Sequence, residues 1–462
     1  MSVDASAAAA TGLEVGDDST FVRNSIYWRS TEPVTPGPPL DGSVNADVCV
    51  IGGGYTGMWA AHFLRRAEPS LSIHILESDY AGAGASGHND GFVTPTIGHN
   101  LHTVVRAFSP ERAKAGYAAV GRSILELRRF CVTNDIAAEY DLGGFYLVAT
   151  NEGQRRRLEH DAELANSLGA NTEILAAADI RARIDVPGLK AAIKTAGALV
   201  NPHRLARGLL RVVRAQGVEV HERTRALKVH RAGRRFEVVT PLGRVQADRL
   251  IWATNAYQQQ WAPFRRAVLP VWSYVLVTEP LSDAQWAQVT WPQREGFVEA
   301  RNFIVFARPV SGRRVLIGGG PAPYFFGGDM DDRRLIRDDI YAFLEQAFRG
   351  YFPAWRSVRF THAYGGCIAM TRNLIPQIGG LGNGAFFAHG YCGNGIALSH
   401  TVGKVLRDLV LDRRTDYSSL PFVDDRPPRF PAEPFAFVGA RAMSGLLRLQ
   451  DRYPALYRWP LV

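Results

Sequence analysis

Apolar residues along the chain fall into short continuous runs that alternate with stretches of helical spacing, the pattern of strands packed between helices. The clearest case follows Asp47, where Val48-Cys49-Val50-Ile51 reads as a strand buried on both faces and Met58-Trp59-Ala60-Ala61-His62-Phe63-Leu64 as a helix. A second strand, Ser72-Ile73-His74-Ile75-Leu76, ends in Glu77. Arg204–Gln216 then reads as a helix and Val218-Glu219-Val220-His221 as a strand, while Val271–Val277 and Val315–Gly318 are runs of strand formers. Residues 111–194 have a helical, polar pattern. Pro33, Pro36, Pro38 and Pro39 mark an extended arm to about residue 45. Pro427, Pro428, Pro431 and Pro434 open a tail that continues as an amphipathic run from Phe435 to Tyr457. Packing of that run on the body or a partner subunit is expected ahead of a membrane-surface role.

Between the first strand and its helix stands Gly52-Gly53-Gly54-Tyr55-Thr56-Gly57, and Glu77 lies 20 positions after Gly57. Gly52 lets the strand turn into the helix, Gly54 lets backbone approach a pyrophosphate on the helix N-terminus, and Gly57 lets helix and strand pack closely. An acid closing the second strand is placed to accept hydrogen bonds from both ribose hydroxyls, and its charge disfavours a 2′-phosphate. Strand, glycines, helix, second strand and acid in this order predict a bound ADP-containing dinucleotide. The unit alone does not separate FAD from NAD.

Composition narrows the classes. Hydrophobic residues make up 46% and charged residues 21% of 462, which suits a folded chain of two or three domains. The net charge is +9, yet only five of the 53 cations are lysine, and the arginines are dispersed among acids instead of forming one stripe. No nucleic-acid partner is expected. Cys49, Cys131, Cys367 and Cys392 make no CxxC pair, and neither a disulfide framework nor a metal site is expected. No run reaches the roughly 18 apolar residues of a membrane span. The first residues carry Asp4, Glu14, Asp17 and Asp18 without a basic n-region, so a cytoplasmic protein is expected.

Three further segments carry a resemblance. Gly84-Ala85-Ser86-Gly87-His88-Asn89-Asp90-Gly91 is similar to the "GASGRNGG" loop of the D-amino-acid-oxidase-like flavin oxidoreductases, which include glycine and sarcosine oxidases. Leu250-Ile251-Trp252-Ala253-Thr254-Asn255-Ala256-Tyr257 resembles their strand and "ATxA" signature. Phe387-Ala388-His389-Gly390-Tyr391-Cys392-Gly393-Asn394-Gly395-Ile396-Ala397-Leu398 resembles their C-terminal loop leading into a helix, whose amides meet the flavin ring. The likeness runs from about 45 to 425. The stretch Tyr364-Gly365-Gly366-Cys367 to Gly379 is most like the gamma-glutamylputrescine oxidoreductase-like branch.

The resemblance implies a Rossmann-type, glutathione-reductase-like FAD-binding domain interleaved with an α+β substrate domain on a mainly antiparallel sheet. FAD-domain segments are expected at 46–110, 195–265 and 355–425, and substrate-domain segments at 111–194 and 266–354. The arm (1–45) and the tail (426–462) flank them. It further implies FAD on Gly52, Gly53, Gly54, Gly57, Glu77, Ser78, Gly84, Ala85, Ser86, Gly87, Asn89, Ala226, Ala253, Thr254, Asn255, Gly390, Gly393, Asn394, Gly395 and Ile396.

The chemistry implied is oxidation of a C–N bond: a neutral amine passes hydride to flavin N5, and the imine hydrolyses. His389 and Tyr391 are the expected orienting or proton-accepting groups. The glycine-oxidase arginine that holds a substrate carboxylate falls at Ile368, and the sarcosine-oxidase lysine at Ala397. An α-carboxylate without a cation in a dry pocket is costly, so an amine or N-substituted amino compound fits better. Arg301, Arg308 and Arg372 are the cations available for a distal acid. FAD is expected to be noncovalent, with a link through Cys367 as the minority reading, and His88 replaces the family's loop arginine. The oxygen-activating lysine of sarcosine oxidases falls at Leu316, which leaves the acceptor open between O2 and a quinone or carrier. An NAD-linked dehydrogenase and a non-catalytic flavin-binding subunit remain as alternatives, and a homo-oligomer is compatible with the sequence.

Overall fold

The computed structural model describes residue 26 and residues 34–170 and 172–453. The rest of the expected arm and the end of the expected tail lie outside the described residues.

The strands are β1 (Gly42–Ile51), β2 (Ile73–Leu76), β3 (Phe92–Val93), β4 (Phe145–Ala149), β5 (Ile174–Ala176), β6 (Ala191–Thr195), β7 (Ala198–Leu199), β8 (Glu219–His221) and β9 (Lys228–Ala232). They continue as β10 (Arg235–Val239), β11 (Gly243–Trp252), β12 (Val268–Thr278), β13 (Gly296–Glu299), β14 (Val305–Val310), β15 (Arg314–Gly319), β16 (Phe360–Thr371), β17 (Gln377–Gly382) and β18 (Ala385–His389). The helices used below are α1 (Tyr55–Ala67), α2 (Ala85–His88), α3 (Pro110–Thr133), α4 (Pro202–Ala215), α5 (Asp338–Tyr351), α6 (Ile396–Val410) and α7 (Phe435–Arg452).

The first sheet runs β17-β18-β11-β1-β2-β8, with β10 and then β9 added on β11. β1 pairs in parallel with β2 and β11, and β11 pairs in parallel with β18. Such a sheet needs both faces covered, which explains the continuous apolar runs. On one face α1, α3 and α6 stack around Trp59, whose ring meets Phe130 and His400 edge-on at 4.7 Å each. The other face is closed by Leu40, Phe236, Phe264 and Phe387.

The second sheet runs β16-β12-β15-β14-β13-β4-β6-β5 and is antiparallel except where β13 meets β4. Its far face packs Trp272, Tyr274 and Phe297 against Leu344 and Phe348 of α5. Its near face turns Val275, Leu316, Phe306 and Tyr364 towards Phe92 and Leu199 of the small β3–β7 ladder, and Ile26 of the arm joins this cluster. The architecture is therefore the expected one: a Rossmann-type α/β unit roofed by a mainly antiparallel sheet.

Three assignments are corrected. The helical, polar reading of 111–194 misses β4, β5 and β6, which extend the roof. α3, expected with the substrate domain, packs in the core of the first unit through Val120, Ile124 and Leu127. β16, expected with the first unit, pairs along its whole length with β12 of the roof.

Candidate cofactor and substrate site

The glycines behave as their spacing predicts. Gly52 holds φ +110 and donates its N–H to Leu76 O at 2.9 Å, closing the turn from β1 into α1. A Cβ on Gly57 would stand 2.0 Å from Gly52 O, so helix and strand meet backbone to backbone. Gly53 donates its N–H to Glu77 Oε2 at 2.8 Å. Glu77 Oε1 accepts from the Asp79 N–H at 3.0 Å and the Ser78 hydroxyl at 3.1 Å. Burial raises the Glu77 pKa, and these hydrogen bonds oppose the rise. Thr224 N–H donates to Glu77 O at 2.6 Å and leads the chain on to half-buried Ala226.

The second glycine-rich loop is stitched to the first. Ser86 Oγ accepts the Tyr55 N–H at 2.9 Å, and a Cβ on Gly54 would crowd that oxygen at 2.9 Å. Gly87 packs against Gly82 O, whereas Gly84 and Ala85 are exposed. Asn89 knits the loop, donating to Ala85 O and Ser86 O and accepting from Gly91 N–H, all at 2.9 Å.

The other two signatures also converge. Ala253 donates to Ile51 O at 2.8 Å. Asn255, at φ +45, accepts the Gly390 N–H on Oδ1 at 3.0 Å. Asn394 accepts the Thr94 hydroxyl at 2.9 Å and donates to Gly98 O at 2.7 Å. Gly393 (φ +94) and Gly395 then lead to Ile396, where α6 begins.

These residues fit a flavin dinucleotide. The N-termini of α1 and α6 carry neither a cap from the preceding side chain nor an acid in the first turn, so, apart from the Tyr55 N–H that Ser86 holds, their first amides suit a pyrophosphate and an electron-rich ring edge. Glu77 closes β2 where a ribose acceptor would stand in such a cofactor site. The Thr254 hydroxyl is buried and has no partner among the described residues, an orphan that a ligand would satisfy.

His389 and Tyr391 are placed differently from expectation. His389 points into the packing between Phe264 and Phe387, with Nε2 3.1 Å from Gln377 Oε1, and burial pushes its pKa down to about 3. Tyr391 is buried with its hydroxyl 2.6 Å from Thr56 Oγ1, and burial raises its pKa. Alternation explains this, since Ala388 of the same strand lies in the other core. Both side chains brace the loop at Gly390, and His389 Nδ1 is buried without a partner among the described residues.

The near face of the roof is apolar. Half-buried Val271 and Ser273 of β12 stand opposite Ile368 and Gly366 of β16, beside the buried Tyr364 and Leu316. A Cβ on Gly366 would meet nothing within 4 Å.

Residues 47–409 match the family model described as DAO, FAD dependent oxidoreductase. The chain belongs to this DAO family. It is 26% identical over 441 residues to gamma-glutamylputrescine oxidoreductase of Escherichia coli (strain K12), covering 93% of this chain and 98% of that one. A probable oxidoreductase OrdL of Rhizobium meliloti (strain 1021) is 27% identical, covering 93% and 96%. Among solved structures, glycine oxidase from Geobacillus kaustophilus superposes with a TM-score of 0.70 at 19% identity, covering 83% of this chain and all of that one. The protein is thus an FAD-dependent oxidoreductase of the DAO family.

Within this DAO fold, Cys367 lies on the far face of β16 with Trp272 and Ala369, while its neighbours Gly366 and Ile368 take the near face. Burial pushes its thiol up to about 12. His88 is turned away too, with Nε2 3.2 Å from the Tyr80 hydroxyl, and burial pushes it down to about 4. The three arginines separate. Arg301 pairs with Glu299 and Asp451, and Arg372 is exposed and donates to Arg429 O at 3.3 Å. Arg308 is buried and donates to Asp90 O, Gly91 O and Val200 O at 3.2, 3.0 and 3.1 Å. It pins the roof to the loops below, a role that no local pattern marked among so many arginines.

Proposed function

We propose that this flavoenzyme oxidises a C–N bond of an amine or N-substituted amino compound, with FAD held noncovalently. The observation that carries the substrate class is the near face of the roof. There Ile368 and Leu316 offer apolar side chains, Ala397 at the start of α6 adds no charge, and Arg308 is committed to three carbonyl oxygens. A simple α-amino acid would leave its carboxylate unpaired there, whereas a neutral amine on an aliphatic stem buries apolar surface. The likeness to gamma-glutamylputrescine oxidoreductase over nearly the whole chain points the same way.

FAD, when bound, supplies a two-electron acceptor for hydride from the carbon next to nitrogen. The protein's part is to hold and dry the site. Glu77, the α1 amides and Thr254 would seat the dinucleotide, and the Asn255–Gly390 and Thr94–Asn394 hydrogen bonds fix the loop that would meet it. The Val271–Ile368 surface excludes water, which favours the neutral amine, the form that can give up hydride. The imine is released and takes up water in solution. The far-face position of Cys367 supports a noncovalent cofactor.

The test is an absorbance spectrum of the purified protein before and after acid precipitation, followed by anaerobic addition of amines. Flavin released to the supernatant, and bleached by an N-acylated diamine in preference to glycine or sarcosine, is the expected result. Failure to bind FAD on reconstitution, or bleaching by α-amino acids alone, would overturn the reading.

A further inference from the structure

We propose that α7 is a docking surface for an anionic lipid bilayer, lying flat on the membrane with its apolar face in the headgroup boundary. Phe435, Val438, Met443, Leu446, Leu449 and Tyr453 are all exposed, Phe435 to 70%. They account for six of the fourteen large hydrophobic side chains exposed among the described residues, so this is a concentration and not ordinary surface scatter. The steps of three, eight and three residues between positions 435, 438, 446 and 449 place these four on one side of the helix, with Met443 at its edge and Tyr453 just past its end. Gly439, Ala442 and Gly445 keep the surface between them flat.

Charge decides the occupant. Arg441, Arg448 and Arg452 are exposed and follow one another by seven and four residues along one edge of the apolar stripe. Asp451, the helix's acid, turns inward and accepts the Asn302 and Phe303 N–H groups at 2.8 and 3.0 Å. The outward face therefore presents cations without a carboxylate. Anionic headgroups complement it, whereas a second copy of the same face would set one row of arginines against the other. No helix among the described residues is long and apolar enough to cross a membrane, so α7 would rest on the surface and not span it.

The helix is held as a platform. The Asn302 amide donates to Gln450 Oε1 at 2.9 Å, and Glu433 accepts the Tyr324 hydroxyl at 2.6 Å and the Phe437 N–H at 3.1 Å. Exposed Phe326 meets the Phe437 ring edge-on at 5.7 Å and widens the patch. The loop carrying Phe326 bridges to the roof where Tyr324 pairs with Val271. The helix is thereby tied, through the Phe326 loop, to β12 of the roof.

The experiment is vesicle flotation of the full-length, flavin-loaded protein. Vesicles of phosphatidylcholine alone are compared with vesicles containing about 30% phosphatidylglycerol, at low and high salt. Binding is expected to rise about tenfold or more with the anionic lipid and to fall at high salt. Phe435→Asp and Leu449→Asp should abolish it, and Arg441→Glu with Arg448→Glu should remove its lipid-charge dependence, all with an unchanged flavin spectrum. Absent binding, or binding indifferent to lipid charge, would overturn the proposal. So would analytical ultracentrifugation showing a dimer that Leu449→Asp converts to monomer, because the face would then be a self-interface. The readout needs no turnover, so it stands apart from the assignment of substrate.

Discussion

The Arg308 guanidinium donates to the carbonyl oxygens of both Gly91 and Val200, binding β14 of the roof to the exit of the second glycine-rich loop and to the entry of α4. One buried cation thereby satisfies three acceptors, counting Asp90 O, from two segments that are distant from it and from each other in sequence. All three acceptors gather round one nitrogen, Nη1, while Nε donates to Pro309 O at 3.3 Å.

Arg308→Met should leave these carbonyl oxygens without a donor and cost roughly 3 kcal/mol of stability, with Arg308→Lys intermediate. Denaturant unfolding of the flavin-loaded protein measures the loss. The same variants should hold FAD less tightly, because Asp90 and Gly91 close the loop that begins at Gly84.

Gly57→Ala puts a Cβ 2.0 Å from Gly52 O, where neither helix nor strand can yield without opening the turn. Loss of bound flavin is expected, read as the ratio of visible to ultraviolet absorbance, with destabilisation of about 2 kcal/mol or more. Gly439→Ala, on the exposed side of α7, should leave that ratio unchanged.

Acid should unfold the protein steeply. Burial holds His88, His99 and His203 down to about 4 and His389 to about 3, so these rings stay neutral in the fold but charge in the unfolded chain. Stability from them is full above the ordinary histidine pKa and is lost as pH falls towards 4. Asp90, pushed up to about 6 by burial, works the other way and offsets about one proton. His62, held down to about 4, and His400, held well below the ordinary value, add to these four rings, so unfolding near pH 5 should take up roughly five protons, measured from the pH dependence of the denaturant midpoint. His389→Phe should lower the uptake by about one proton and keep kcat within roughly threefold, because the ring packs between Phe264 and Phe387 and a phenyl ring fills the same place. A collapse of kcat at wild-type KM would restore His389 to the chemistry.

Cys367→Ala should not change the release of flavin by acid, since the thiol lies on the face of β16 away from Gly366. Flavin that stays with the precipitated wild type but leaves the variant would contradict this.

Legibility followed locality. The βαβ unit could be read because its glycines, helix and acid lie within one short stretch, each with a steric or hydrogen-bonding role that spacing reveals. β4 was hidden because Phe145–Ala149 is a short apolar run among helical neighbours, and periodicity alone cannot separate the two. The sheet to which β16 belongs could not be read either, since strand pattern reports burial and not the partner. Alternation along β16 does carry the direction of Cys367, a signal the sequence holds once the strand is recognised. Arg308 leaves no trace, as its acceptors are backbone carbonyls brought together by the fold. The exposure of α7 was likewise beyond the pattern, which shows an apolar stripe but not what covers it.

The parallel pairing of β1 with β11 sets Gly42 opposite Gly243, and β11 in turn waits for β18, with Leu250 opposite Ala385. A ribosome adding about 5–20 residues per second therefore delivers the opening strand well before its central neighbour, and the last wall of the cradle later still. Through that interval the βαβ unit carries an unpaired, apolar strand edge open to misassociation. Nascent chains stopped before Gly390 lack the loop that Asn255 fastens, so capture of the cofactor belongs to the finished polypeptide. The yield of active protein should then rise with the FAD available after synthesis, not with slower translation.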